Sequence, residues 1–285
     1  MRPGSTARAQ VHTVRGDRVE VRTDFVAAEE PMEIRLLAGR DRHRVAVTMR
    51  TPGHDFELAT GFLFGEGLLA DRHEVARISY CLDPDLDPEQ QYNIVNVFLR
   101  AGRLPDLGRL ERHFYTTSAC GVCGKATLEA LRIRGCPVLG EGPVVDAAVL
   151  RTLPDRLRAA QGLFTATGGL HAAALFTQEG ELVALREDVG RHNAMDKLIG
   201  WAFLEGRLPL RDHVVMVSGR ASFELVQKAV VAGIPVFCAV SAPSSLAVEV
   251  ARAFGLTLVA FLRGDRFNIY SGFERVALPA STPTR

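Results

Sequence analysis

HVVMVSGRASFELVQKAVVAGIPVFCAVSAPSSLAVEVARAFGLTLVAF, residues 213–261, decides the fold. A short apolar run rich in β-branched residues, His213 to Val217, ends in the small polar turn Ser218-Gly219-Arg220-Ala221-Ser222. An amphipathic segment from Phe223 to Ala232 follows. The pattern repeats: Pro235 to Val240, the turn Ser241-Ala242-Pro243-Ser244-Ser245, a helix-period segment from Ser245 to Phe254, then the run Leu256 to Phe261. Continuous apolar runs of this length are strands buried on both faces, and helices between them are crossovers, which predicts α/β architecture with a largely parallel sheet.

Upstream, Gly169 to Phe176 and Leu182 to Leu185 read as further strands, and Arg191 to Leu204 as a helix. The α/β domain is therefore expected over residues 116–277. Before it, Val19/Val21, Met32/Ile34/Leu36 and Val45/Val47/Met49 alternate as in half-buried strands. Gly16-Asp17 and Ala38 to Arg42 are the turns, Thr51-Pro52-Gly53 is a break, and His54 to Leu63 has helical spacing. With strands at Ala76 to Cys81 and Asn93 to Leu99, residues 11–115 form a smaller N-terminal α+β domain, bounded by the Gly-, Arg- and Pro-rich stretch Ala101 to Glu111. Residues 1–10 and the tail 278–285 are expected to be flexible.

The chain has 285 residues, enough for about two domains at roughly 150 residues each. It is 47% hydrophobic and 24% charged, with 26 Gly and 14 Pro, which excludes disordered, collagen-like and coiled-coil classes. A net charge of +1 gives no global attraction to nucleic acid or anionic lipid, so any anion site must be local. The start, MRPGSTARAQ, lacks the apolar core of a secretory signal, and no uninterrupted apolar span is long enough for a membrane. Five scattered cysteines, Cys81, Cys120, Cys123, Cys136 and Cys238, do not form a disulfide framework. A cytoplasmic protein is expected.

The sharpest chemical signal is Thr117-Ser118-Ala119-Cys120-Gly121-Val122-Cys123-Gly124-Lys125, a C-x-x-C ahead of the amphipathic segment carrying Ala126, Ala130 and Ile133. At a helix N-terminus the free amides, the macrodipole and Lys125 favour a thiolate over a thiol. Such a group suits a sulfur carrier, a redox dithiol or half of a metal site; the plainer alternative is two loop cysteines without a role. A zinc site needs four ligands, and neither a second C-x-x-C nor closely spaced histidines is present. His171 is the best third ligand, but Ala173 stands where a nucleotide deaminase has its proton-shuttling Glu, and Ala119 replaces the Pro before the first Cys. Zinc-dependent hydrolysis of deaminase type is thus the weaker alternative, and no metal ligand is assigned. Cys81, Cys136 and Cys238 are expected to be buried small hydrophobes.

A second polar cluster, Arg186-Glu187-Asp188-Val189-Gly190-Arg191-His192-Asn193 to Asp196-Lys197, leads from a strand end into a helix. Its first turn offers free amides with Arg191, His192 and Asn193, which suits phosphate. His192 and Asp196 are four apart and can touch on a helix. Ser218, Gly219 and Arg220, the Ser241 to Ser245 turn and the end of the last run are all expected at the carboxyl edge of the sheet, where α/β proteins bind ligands. Neither G-x-x-x-x-G-K-[ST] nor G-x-G-x-x-G occurs, so ATP hydrolysis and a dinucleotide fingerprint lack support.

Taken together, these residues resemble the formate dehydrogenase accessory sulfurtransferase family (FdhD). The resemblance rests on five motifs in order: Thr51-Pro52-Gly53 through Gly61-Phe62-Leu63 to Glu66-Gly67; Ser118 to Lys125; Thr167-Gly168-Gly169-Leu170-His171-Ala172-Ala173; Glu187 to Asn193 with Asp196-Lys197; and Ser218-Gly219-Arg220. It implies a cytidine-deaminase-like C-terminal domain without the zinc chemistry. It implies that sulfur from a cysteine desulfurase is held as a persulfide on Cys120, with Cys123 the second cysteine of the pair. The sulfur would go to bis-molybdopterin guanine dinucleotide, in its molybdenum or tungsten form, destined for formate dehydrogenase. The family's cofactor contact corresponds to Phe261, Leu262, Arg263, Gly264, Asp265 and Arg266, with GDP as a possible mimic of the guanine end. Asp265 would accept the guanine N–H groups, with Arg263 or Arg266 facing phosphate. A homodimer is also implied. A chaperone that binds the cofactor or the client enzyme without moving sulfur is the non-enzymatic alternative.

Overall fold

The three runs of residues 213–261 form the middle of a six-stranded sheet in the computed structural model, which describes residues 4–83, 90–106, 136 and 138–278. They are β10 (Val214–Val217), β11 (Val236–Ala239) and β12 (Thr257–Arg263), paired in parallel. The crossovers are α5 (Phe223–Val231) and α6 (Ser245–Ala253). Alternation of side chains across the pleat explains the unbroken apolar runs. Val215, Val217, Phe237, Leu258 and Ala260 pack into one buried cluster with α5, α6 and α4 (Arg191–Leu204). Val214, Met216, Val236, Cys238 and Val259 pack into another with α2 (Ala147–Ala160).

The sheet is mixed, which corrects the expectation of a largely parallel one. Strands β8 (His171–Phe176), β9 (Leu182–Asp188) and β13 (Arg266–Ser271) join it in the order β13-β12-β11-β10-β8-β9, and each of their pairings is antiparallel. The connections decide this: residues 177–181 between β8 and β9, and Gly264-Asp265 between β12 and β13, are far too short for a parallel crossover.

The N-terminal part contains a four-stranded sheet, β4-β3-β6-β5, built from β3 (Glu30–Ala38), β4 (Asp41–Arg50), β5 (Val75–Tyr80) and β6 (Ile94–Leu99). Met32, Ile34, Leu36, Val95 and Val97 bury against Leu58, Ala59 and Leu63 of α1 (Asp55–Gly65). The opposite side of α1 packs on α4. An added Cβ on Gly61 would overlap the Asp196 carbonyl, and one on Gly200 would overlap that of Glu57, so the two helices meet backbone to backbone. The expected domain edge near residue 115 lies outside the described residues.

Residues 6–10, expected to be flexible, belong to β1 (Thr6–Arg15), which pairs in full with β2 (Arg18–Ala27) as a separate two-stranded sheet. The sequence signal was weak because neither strand has a buried face. Also described are α3 (Gly162–Thr167) and the short parallel pair β7 (Val145–Asp146) with β14 (Val276–Ala277).

Candidate functional site

Because β10, β11 and β12 are parallel, their carboxyl ends leave the sheet on one edge. The antiparallel β8 delivers its first residue there, since Ala173 pairs with Val217, and β9 delivers its last, since His171 pairs with Asp188. Backbone hydrogen bonds stitch the loops together: Ser218 N donates to Ala172 O at 3.0 Å, Ser241 N to Gly219 O at 3.2 Å, and Phe261 N to Ser241 O at 3.2 Å. Ser218 Oγ accepts from Ala172 N at 2.9 Å. The edge therefore gathers Ser218, Gly219, Ser241 and Phe261 from the loops after the parallel strands, with the head of α4 adjoining, and the antiparallel course of β8 adds His171.

Phe261 is held at φ 54°, a left-handed conformation that a phenylalanine rarely adopts, where β12 bulges between Ala260 and Arg263. Strain of this kind concentrates at ligand sites. The strand runs on through Arg263, whose Nε donates to Val240 O at 2.9 Å. Leu262 is buried, Gly264 (φ 55°) and Asp265 form the two-residue turn, and Asp265, Arg266 and Arg220 are exposed.

The head of α4 divides its labour. Arg191 carries a buried Nε without a hydrogen-bond partner among the described residues. His192 Nε2 lies 3.4 Å from Ser222 Oγ and 3.6 Å from Glu224 Oε2 at the start of α5. The contact with His192 holds the Glu224 carboxyl down at about 2. Burial lowers the His171 pKa, and the charges of Arg191 and His192 add to the effect, favouring the neutral imidazole. His192 does not bond to Asp196, contrary to the i,i+4 expectation: Asp196 turns inward to Lys228, 2.6 Å away.

Asn193 is a correction of a different kind. It was expected to face phosphate, but its carboxamide is buried and donates to Met49 O at 2.7 Å and Asp188 Oδ1 at 3.0 Å. Lys197 likewise points inward: its Nζ sits 2.7 Å from Asp188 Oδ2 and 2.8 Å from Thr51 O. Asp188 also accepts from Thr51 N at 3.1 Å and Gly190 N at 2.9 Å, while Thr51 Oγ1 accepts from Val189 N at 3.2 Å. Thus Thr51, Asp188, Asn193 and Lys197 bolt the N-terminal sheet to the site edge and fix where α4 begins. Burial lowers the Lys197 pKa, and Asp188 opposes that shift.

Sequence reasoning missed a recess of about 860 Å³ between the turn after β4 and the start of α3. Arg186 Nη2 donates to Glu57 Oε1 at 2.8 Å, and His54 Nδ1 lies 3.1 Å from Glu57 Oε2. Burial raises the Glu57 pKa, but the hydrogen bonds from Arg186 and His54 outweigh it and the net shift is downward. His54 occupies φ 57°. The only sequence signal was its place directly after Pro52-Gly53.

Cys120 and Cys123 lie outside the described residues. Cys238 is fully buried in an apolar cluster, and burial raises its thiol pKa. Cys81 and Cys136 are only partly buried, which corrects their expected burial.

The FdhD/NarQ family model matches residues 27–277. The chain belongs to the FdhD/NarQ family. It is 55% identical over 279 residues to the "Sulfur carrier protein FdhD" of Streptomyces coelicolor, covering 97% of each chain. The protein of the same name from Mycobacterium tuberculosis is 51% identical, with 95% of this chain and 99% of that one covered. The Thermoplasma volcanium protein of that name is 44% identical, with 90% of each covered. A crystal structure of a proposed formate dehydrogenase accessory protein from Desulfotalea psychrophila superposes with a TM-score of 0.71 at 25% identity, covering 95% of this chain and 99% of that one. In this FdhD/NarQ chain the family match spans the six-stranded and four-stranded sheets, the Thr51–Asp188–Lys197 bolt and the loop edge. No described helix is long and apolar enough to cross a membrane.

Proposed function

We propose that this FdhD/NarQ protein is a cytoplasmic sulfurtransferase that carries sulfur as a Cys120 persulfide and delivers it to the bis-molybdopterin guanine dinucleotide needed by formate dehydrogenase. The observation that carries the reading is end-to-end identity of 55% with a protein named as a sulfur carrier, in a chain with its own Cys120-Gly121-Val122-Cys123. The cargo has phosphates and a guanine, and the loop edge supplies chemistry that suits both: Arg191, whose Nε has no partner among the described residues, exposed Arg220, and the Arg263-Gly264-Asp265-Arg266 turn. The six-stranded sheet is read as the family's cytidine-deaminase-like domain, supported by an antiparallel β8–β9 hairpin ahead of three parallel strands with helical crossovers.

In the loading step the Cys120 thiolate attacks the outer sulfur of a cysteine desulfurase persulfide. A new S–S bond forms at Cys120, the donor's S–S bond breaks, and the desulfurase cysteine leaves as a thiolate, so no external oxidant is required. Cys123, three residues further along the sequence, is read as the thiol that exchanges with that persulfide. The protein acts as a homodimer.

The test is peptide mass spectrometry without reductant after incubation with a cysteine desulfurase and cysteine. One added sulfur on the Cys120 peptide, lost in Cys120→Ala while GDP binding persists, is the expected result. No added sulfur beside an active desulfurase overturns the reading in favour of a cofactor-binding chaperone, or of a deaminase-type hydrolase if the protein copurifies with stoichiometric zinc.

A further inference from the structure

The β1–β2 hairpin stands apart from both larger sheets and is unusually exposed. Val14, Val19 and Val21 are 65%, 66% and 64% exposed, and Phe25 45%. The register pairs Val14 with Val19, His12 with Val21 and Arg8 with Phe25, so the four apolar side chains share one face. A lone two-stranded ribbon is marginal in water, and a free strand edge is a template for pairing. α3 packs against β2, and Ala27 and Ala28 nearest it are partly buried, whereas Arg18 to Thr23 are exposed.

The hairpin closes through two residues, Gly16 and Asp17, between the paired Arg15 and Arg18. In such a hairpin the flanking pair exchanges its hydrogen bonds, so Arg18, Glu20, Arg22 and Asp24 turn their backbone groups toward β1. Val19, Val21 and Thr23 then present N–H and C=O outward. An antiparallel copy of β2 can hydrogen-bond to that edge with Val21 opposite Val21 on a two-fold axis. In this register Glu20 faces Arg22 of the copy, Arg22 faces Glu20, Arg18 faces Asp24 and Asp24 faces Arg18. A shift by one pair in either direction instead sets Glu20 against Glu20 with Arg18 against Arg22, or Arg22 against Arg22 with Glu20 against Asp24. Opposite charges across strands stabilise pairing and like charges oppose it.

We propose that a second copy of this chain docks along the outer edge of β2, centred on Val21, to make a four-stranded sheet β1-β2-β2-β1 across the subunits. This rests on the homodimer proposed above and is independent of sulfur chemistry. The two-fold arrangement is isologous and closes on itself, so it yields dimers and not fibres.

The test is light scattering on the full-length protein with Glu20→Arg, with Arg22→Glu, and with the two variants mixed. Each variant alone sets like charges opposite one another and is expected to weaken the dimer on the order of tenfold or more. Mixing restores it, because a chain that is basic at both positions 20 and 22 then faces a chain that is acidic at both. A parallel measurement is Val21→Cys: residues of a hydrogen-bonded antiparallel pair stand about 5.5 Å apart at Cα, within disulfide range. Mild oxidation should therefore cross-link this variant through residue 21, as read by peptide mapping against the parent. If both charge variants remain dimeric and residue 21 does not cross-link, the docking surface is overturned while the dimer stands. A monomeric parent protein overturns both.

Discussion

Lys197 Nζ lies 2.7 Å from Asp188 Oδ2, with both side chains withdrawn from water, and the pair joins two parts of the chain through Thr51. Taking two charges out of water is costly, and here the cost is offset by hydrogen bonds on every side. Asp188 accepts from Thr51 N, Gly190 N and Asn193, and Lys197 donates to two backbone carbonyls. Lys197→Met removes the cation and leaves a carboxylate buried without its counter-ion, which typically costs about 3–5 kcal/mol. Urea unfolding should show that loss, and GDP binding should weaken with it because Gly190 and the head of α4 hang on Asp188. A variant of parental stability would mean that the pair does not hold the two parts together.

The crossing of α1 and α4 makes a sharper steric prediction. Gly61 and Gly200 each face backbone of the other helix, so an added methyl group has no flexible neighbour to displace. Gly61→Ala or Gly200→Ala should destabilise the protein by about 3 kcal/mol or more, at the upper end of overpacking costs. Gly162→Ala is the control, since nothing lies within 4 Å of its would-be Cβ and its φ is not positive. A thermal melt of Gly61→Ala that coincides with the parent's would refute the close approach.

The three-run pattern at 213–261 was legible because strands buried on both faces must be apolar throughout. The convergence of Ser218, Ser241 and Phe261 followed from strand direction alone. What the sequence concealed was direction and orientation elsewhere. Nothing in Gly169 to Phe176 distinguishes a parallel from an antiparallel strand; the short loop to β9 decides it, and the loop's length becomes visible only once both strand ends are known. Asn193 reads as a ligand contact, and Lys197 stays open between phosphate and structure, because polar residues at a helix start look alike whether they face a phosphate or a partner sheet. Asn193 bonds to Met49, 144 residues away, and Lys197 to Thr51, 146 residues away, separations that periodicity cannot bridge.

Glu224 makes a pH prediction. Its carboxyl is held at about 2, against an ordinary 4.5, first by the contact with His192. A carboxyl depressed in the folded state contributes stability that is fully present above pH 4.5 and is lost as pH falls toward 2. Glu224→Gln removes that contribution, so parent and variant should differ most above pH 4.5 and converge in acid. Because the side chain is 56% exposed, solvent screening keeps the difference small. Urea midpoints of both proteins at pH 6, 4 and 3, the last being within reach of acid-tolerant buffers, would read it; a gap that widens in acid would show that His192 does not depress this carboxyl.

Asp265 offers a test of the proposed recognition of a guanine nucleotide. It sits exposed in the Gly264-Asp265 turn, between Arg263 and Arg266, and next to the strained Phe261 segment. A carboxylate can accept two N–H groups from guanine, and adenine offers no matching pair of donors. In the proposed reading Arg263 or Arg266 faces phosphate, which GDP and ADP share. Asp265→Asn should therefore weaken GDP binding on the order of tenfold, the cost of losing a charge-assisted pair, while leaving ADP binding nearly unchanged. Arg266→Gln should weaken both alike. Calorimetric titration of the two nucleotides into each variant separates these outcomes, and equal losses of GDP and ADP on Asp265→Asn would remove guanine recognition from this turn.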